Sequence, residues 1–126
     1  MVDVEKLAEN HGITIQFTSK RTSPMAWWNP ETRTIKVRDG LPYRKTRSLI
    51  AHELGHAYYG HTVSTPKNER QADSYAAQIL ITEEAYRRAE EAYGTSIEKL
   101  AYELDVMPSI ITAWRQNHET VKGKAP

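Results

Sequence analysis

Two histidines four residues apart flank a glutamate in the run His52-Glu53-Leu54-Gly55-His56. On a helix, residues four apart project from one face, so both imidazoles can reach a single point. Zn²⁺ takes imidazole nitrogen readily and wants about four ligands. Glu53 lies about 100° round the helix from His52. It is a poor third ligand there, but it can reach a water on the metal, which is the position of a general base in a zinc hydrolase. The competing reading of so short a pattern is two polar residues on the solvated side of an ordinary helix.

Periodicity indicates the elements that must carry these residues. Over 47–60, Ile50, Leu54, Ala57 and Tyr58 form a core-facing stripe. His52 and His56 lie opposite, with Ser48, Gly55 and Tyr59 near them, a composition that suits a cleft better than a solvated face. Gly55 costs roughly 1 kcal/mol of helix stability against Ala; in return it leaves room for substrate or a neighbouring backbone. A second helix is expected over 66–81, with Pro66 tolerated in its first turn. On it Glu69, Ala72, Asp73, Ala76, Ile79 and Leu80 share a face that is apolar except for two carboxylates one turn apart. Buried carboxylates are costly unless paired or bound to metal. Glu69 is therefore expected to join His52 and His56 as third ligand, leaving one position open for water; the alternative is an ion pair with Lys or Arg. Asp73 is expected to accept the free N–H of a ligand histidine and fix its tautomer, or else to cap. Zn²⁺ is the expected cation, and Mn²⁺ is compatible with the same donors.

With 126 residues, 17 Lys plus Arg against 16 Asp plus Glu, the chain reads as one domain of net charge +1. That balance calls for neither nucleic acid nor an anionic membrane. Without cysteine there is no disulfide and no thiolate metal site. The polar start and the absence of a long apolar run lead to an expectation of a cytoplasmic protein.

The layout reads as α+β. A short helix over 3–11 ends at Gly12, and Ile13, Ile15 and Phe17 alternate as a strand. A basic loop, 19–24, follows. Ala26-Trp27-Trp28, a turn at 29–32 and Arg33 to Val37 read as strand, turn, strand, with Ile35 and Val37 inward. Three short strands before a metal helix suggest a small antiparallel three-stranded sheet packed on helices. Its last strand is a candidate edge for an extended peptide.

A helix from Thr82 to Tyr93 ends at Gly94, and Thr95 with Glu98 reads as a capping box. Ile97, Leu100, Ala101, Leu104, Val106, Ile110, Ile111 and Trp114 then fit a C-terminal helical pair joined at 105–108, a helix-turn-helix pattern. Its second helix, 108–117, carries one strong cation, Arg115, whereas DNA binding wants several. A pair that completes the core is the favoured reading. The stretch 119–126 reads as a disordered tail.

The central residues resemble the small zincin-like ImmA/IrrE metallopeptidases. The resemblance rests on His52-Glu53-Leu54-Gly55-His56, then on the run Glu69 to Ile81, and on the helix-turn-helix-like stretch from Ile97 to Trp114. The family pattern is HELGH, a short gap, E-x-x-A-(N/D)-x-x-A and an aliphatic run. The chain matches it at Glu69, Ala72, Asp73 and Ala76, and has Thr82 where a proline often sits. The resemblance implies a minimal zincin-like domain over 1–118. It also implies metal-dependent cleavage or inactivation of a helix-turn-helix repressor, relieving repression of a mobile element, such as a phage, or of a stress response. In such chemistry Glu53 shuttles the proton and a donor stabilises the oxyanion. Tyr59, His61 and Tyr75 are candidate donors, and Tyr59 lies nearest the ligand face. His61 reads first as a loop histidine and second as a displaced ligand. Rival functions are a zinc-containing regulator that binds a repressor without cutting it, and a DNA-binding module built on the C-terminal pair.

Overall fold

The structure is a computed structural model that describes the backbone of residues 2–21 and 24–123, and side chains as far as Glu119. Helix α1 (Val4–Asn10) starts at Asp3, whose carboxylate accepts the N–H of Glu5 and Lys6. Strands β1 (Thr14–Thr18), β2 (Ala26–Asn29) and β3 (Thr34–Arg38) follow, then α2 (Tyr43–Tyr59), α3 (Pro66–Leu80), α4 (Glu83–Tyr93), α5 (Ile97–Glu103) and α6 (Pro108–Gly123). Of the expected loop 19–24, residues 22 and 23 lie outside the described residues. Helix α6 continues past Glu119, where the tail was expected to begin, and residues 124–126 lie outside the description.

The α+β class is as expected, but the sheet is mixed rather than antiparallel. The strand order is β1-β3-β2; β3 pairs antiparallel with β2 and parallel with β1. Alternation along a strand reports which side chains face inward, not the direction of the neighbouring strand. A parallel pair needs a crossover of a dozen or more residues. Here the loop, β2 and the turn together supply it. Ile35 and Val37 are fully buried, as expected. Strand β3 is central, so the expected edge role falls instead to β2.

The helices pack behind this sheet, and α2 is the hub. Ile50, Ala51 and Leu54 sit in the core, whereas Tyr58, expected there, is 69% exposed. It lies in the last turn of α2, beyond the packed core, and stacks on Tyr75. Ser48 does not face a cleft either: it is buried, and its Oγ accepts the Met107 N–H at 3.0 Å. Arg47, also buried, donates through Nη1 to the carbonyls of Leu104 and Asp105. Both tie α2 to the α5–α6 turn.

Helices α2 and α3 approach more closely than ordinary side chains allow. A Cβ added at Gly55 would stand 2.7 Å from Ala72 Cα and 2.8 Å from Ala72 O. Of the two uses expected for Gly55, the space is taken by a neighbouring backbone. Ala72, Ala76 and Ala77 line the same contact and are fully buried. The start of α3 is fixed by Thr65, whose Oγ1 accepts the Asn68 N–H. That cap sets the first turn of α3, and with it Glu69, against the histidines.

Helix α4 begins at the Thr82 cap and ends at Gly94, as expected. The cap of α5 is Ser96, not Thr95: Ser96 Oγ accepts the Lys99 N–H, while the Thr95 carbonyl accepts a hydrogen bond from Arg115. The α5–α6 pair buries Leu100, Ala101, Val106, Ile110, Ile111 and Trp114. Among the described residues, no helix is long and apolar enough to cross a membrane.

Candidate metal centre

His52 and His56 lie one turn apart on α2, and their Nε2 atoms converge to 3.1 Å. Glu69, from the first turn of α3, brings Oε1 to 3.0 Å from His52 Nε2 and Oε2 to 3.1 Å from His56 Nε2. These three residues form a group that could hold a metal ion. The donor chemistry fits. Four ligands at about 2.0–2.1 Å from Zn²⁺ in a tetrahedron stand about 3.3–3.4 Å from one another. The two Nε2 atoms stand 3.1 Å apart, each 3.0–3.1 Å from a different oxygen of Glu69, and one ligand atom from each of the three residues lies within 4.8 Å of the others. Two imidazoles and a carboxylate fit Zn²⁺ and are also compatible with Mn²⁺.

The outer nitrogens of both histidines are occupied. His52 Nδ1 donates to Asp73 Oδ1 at 2.7 Å, so Nε2 is the nitrogen turned to the shared point. Asp73 reaches it from the turn of α3 after Glu69. His56 Nδ1 lies 3.0 Å from His61 Nδ1, and His61 Nε2 lies 2.8 Å from Gln71 Oε1. Ser64 Oγ donates to Glu69 Oε2 at 3.1 Å, so the loop between the helices also steadies the carboxylate. The expectation that Glu69 and Asp73 are buried is corrected: their side chains are 39% and 38% exposed. They sit at the rim of the helix interface, on either side of the Gly55–Ala72 contact in sequence.

Glu53 stands beside the triangle without joining it. Its Oε2 is 4.0 Å from His52 Nε2 and its side chain is only 10% exposed. Burial pushes the Glu53 carboxyl up to about 7; the charge of Glu69 adds to this, and the charge of His52 and a Trp28 backbone hydrogen bond oppose it. For His52, burial acts downward, but the Asp73 hydrogen bond and the charges of Glu53 and Asp73 outweigh it and lift the imidazole to about 9. Burial and the charge of His52 lower His56. Burial alone would raise Glu69; its histidine partners and Ser64 hold it below the ordinary value. Four titratable groups with opposed shifts gather in one cleft, which makes it the candidate functional site.

The cleft has a volume of about 530 Å³. Met25, Ala26, Trp27 and Trp28 form one wall and Leu49 with the α2 residues the other, while His61 to Ser64 close one end. Strand β2 borders it with an open edge. Arg38 N–H donates to the Met25 carbonyl, so Met25, Trp27 and Asn29 turn their backbone groups towards β3. Ala26 and Trp28 turn theirs outward, and the Trp28 N–H reaches Glu53.

The tyrosines expected at the oxyanion are elsewhere. Tyr59 lies over a separate depression with Lys67, Arg70 and Gln71, and its ring stacks on His61. Tyr75 stacks on Tyr58, and burial, then Tyr58, raises its hydroxyl pKa. Position on the helical wheel put Tyr59 near the ligand face, but its side chain is exposed and does not line the cleft. His61 lines the cleft but is not one of the converging ligands. Trp28, Ser64 and Gln71 were not singled out from sequence. Their contacts depend on how a strand and a loop return to the helix, and no local pattern encodes that return.

Residues 8–112 match the family described as Peptidase_M78, the IrrE N-terminal-like domain. The match spans both histidines, Glu53, Glu69 and the β2 wall. No curated protein matches the chain.

Proposed function

We propose a peptide-hydrolysing role from one premise: the chain belongs to the Peptidase_M78 family, a metallopeptidase family with the IrrE N-terminal-like domain. The protein is read as a zinc-dependent metallopeptidase that cleaves a cytosolic protein. The observation that carries this reading is the triangle of His52, His56 and Glu69 with the Glu53 carboxylate beside it and outside it.

When bound there, Zn²⁺ supplies Lewis-acid polarisation and a water acidified towards about pH 7. The other steps belong to side chains and backbone. Glu53 accepts the proton of the attacking water and delivers it to the departing amine nitrogen. A carboxyl titrating near 7 suits both halves of that shuttle. Asp73 holds the His52 ring through Nδ1, and Ser64 holds Glu69. The outward backbone groups of Ala26 and the outward carbonyl of Trp28, whose N–H is held by Glu53, support an extended substrate added beside β2, with its scissile carbonyl carried past Glu53.

For the substrate we propose a helix-turn-helix repressor, whose loss would switch on a mobile element or a stress response. The resemblance described above supports this choice. Against direct DNA binding stands Arg115, whose guanidinium donates to Tyr86 Oη and the Thr95 carbonyl instead of facing solvent freely.

Glu53→Gln tests the proposal. It should keep one equivalent of zinc and lose cleavage by about 10²–10⁴-fold, the usual weight of a positioned acid–base group. If the variant still relieves repression in cells as well as wild type, the protein works by binding and the peptidase reading fails.

A further inference from the structure

We infer that His61 and Gln71 are positioning residues that fix the tautomer and orientation of His56 through a directional chain of two hydrogen bonds. The inference rests on the metal-site reading of His56 and not on peptide hydrolysis.

The two Nδ1 atoms of His56 and His61 face each other at 3.0 Å. A neutral imidazole carries one N–H and one lone pair, so one ring donates and the other accepts. If His56 presents a lone pair at Nε2 to a cation, its proton sits on Nδ1 and His56 is the donor. His61 then accepts at Nδ1 and carries its own proton on Nε2. That proton needs an acceptor, and Gln71 Oε1 stands 2.8 Å away. An amide can turn either its oxygen or its nitrogen towards a partner, and the network decides which. With the nitrogen turned inward, every donor reverses. His61 would then donate to His56, the His56 proton would move to Nε2, and the lone pair aimed at Glu69 and His52 would be lost. Only one direction of the chain is compatible with a ligand.

The fold prepares this contact. Gly60 adopts a left-handed conformation with φ +68, which reverses the chain at the end of α2. The His61 N–H then donates to the His56 carbonyl at 3.0 Å, and its ring folds back along the helix it has just left. Tyr59 stacks on the other face of that ring, with the planes 12° apart. Gln71 comes from α3, two residues beyond Glu69, so the helix that supplies the carboxylate also supplies the end of the chain. His61 is therefore neither a spare loop histidine nor a displaced ligand. Both of its nitrogens are used, and neither belongs to the converging group. The two ligand histidines are oriented by different chemistry: His52 by a carboxylate, His56 by a neutral relay.

The test is zinc affinity of the full chain, measured by competition with a chelator. His61→Ala should weaken zinc binding about 10–100-fold, the usual cost of removing a partner of a ligand histidine. His61→Gln should recover most of that loss, because its carbonyl can accept from His56 and its amide can donate to Gln71. Gln71→Glu, which can only accept, should bind zinc at least as well as wild type; Gln71→Leu should bind it less well. In ¹⁵N spectra of the zinc-loaded protein, the His56 Nδ1 proton should be present and slow to exchange in wild type, and exposed in His61→Ala. Wild-type zinc binding with an unchanged affinity in His61→Ala overturns the inference. So does a His61→Gln variant as weak as His61→Ala, which would mark packing rather than proton direction. Failure of wild type itself to bind zinc overturns the metal-site reading, and this inference with it.

Discussion

Two helix pairs in this small domain use the same architecture for opposite ends. The α5–α6 pair meets through Leu100, Val106, Ile110, Ile111 and Trp114, all buried and apolar. Arg115, the one strong cation of 108–117, is engaged by Tyr86 and Thr95. The α2–α3 pair meets through a glycine and alanines, and at its rim gathers His52, His56, Glu69 and Asp73. Removing imidazole and carboxylate from water costs free energy that an apolar contact does not. A fold that needed only stability would place apolar residues there, as it does in α5–α6. The difference sets one pair apart as scaffold and the other as the candidate site.

That contrast can be broken in graded ways. The largest effect is expected from Glu69→Ala, which should lower zinc affinity by more than about 100-fold, since even outer partners of a ligand are worth 10–100-fold. Thermal melting of the metal-free variant should stay close to that of metal-free wild type. If the variant instead unfolds, the site is part of the scaffold and the contrast is wrong. Ile111→Ala should do the reverse, costing about 2–5 kcal/mol in denaturant unfolding while the folded fraction binds zinc normally.

Gly55→Ala sharpens the boundary between the two roles. The added methyl meets Ala72 Cα and O, which are backbone and cannot swing aside. A net loss of about 1–3 kcal/mol is expected from overpacking, despite the better helix propensity of Ala, and zinc affinity should fall as α3 moves Glu69 away. Unchanged stability and affinity would show that the close approach is dispensable. A smaller effect, about 1 kcal/mol, is expected of Arg115→Ala, which removes the Tyr86 and Thr95 hydrogen bonds. Its salt-dependent binding to duplex DNA should match that of wild type; a clear loss would restore a DNA-reading role.

The mildest perturbation changes only pH. Glu53 titrates in the folded chain near 7, above the ordinary carboxylate value of 4.5. The folded state therefore holds this proton more tightly than the unfolded state. Its contribution is most favourable below 4.5 and is lost as pH rises through 7, where a charged carboxylate must stay buried. Metal-free wild type should thus lose stability relative to metal-free Glu53→Gln between those limits. A constant difference across the range would mean that Glu53 is not held in a desolvating wall.

Much of this was legible along the chain because helices translate spacing into direction. His52 and His56 meet because four residues make about one turn, and Glu69 and Asp73 share a face for the same reason. Gly94, Thr82 and the alternation of Ile35 with Val37 announce their elements locally. Tyr59 misled for an equally local reason: its angle on the wheel was right for the ligand face, but its ring lies over a separate depression with Lys67, Arg70 and Gln71 and does not line the cleft.

The sequence by itself determined the candidate donor types, their spacing on each helix and a small residue, Gly55, beside the histidines. Tertiary structure alone decided that β3 runs parallel to β1, that β2 is the open edge at the cleft, and that His61 folds back to meet His56 and Gln71. The reason is physical. Periodicity records which way a side chain leaves its own element, whereas strand direction, edge position and contacts between a loop and a distant helix depend on how the chain closes on itself.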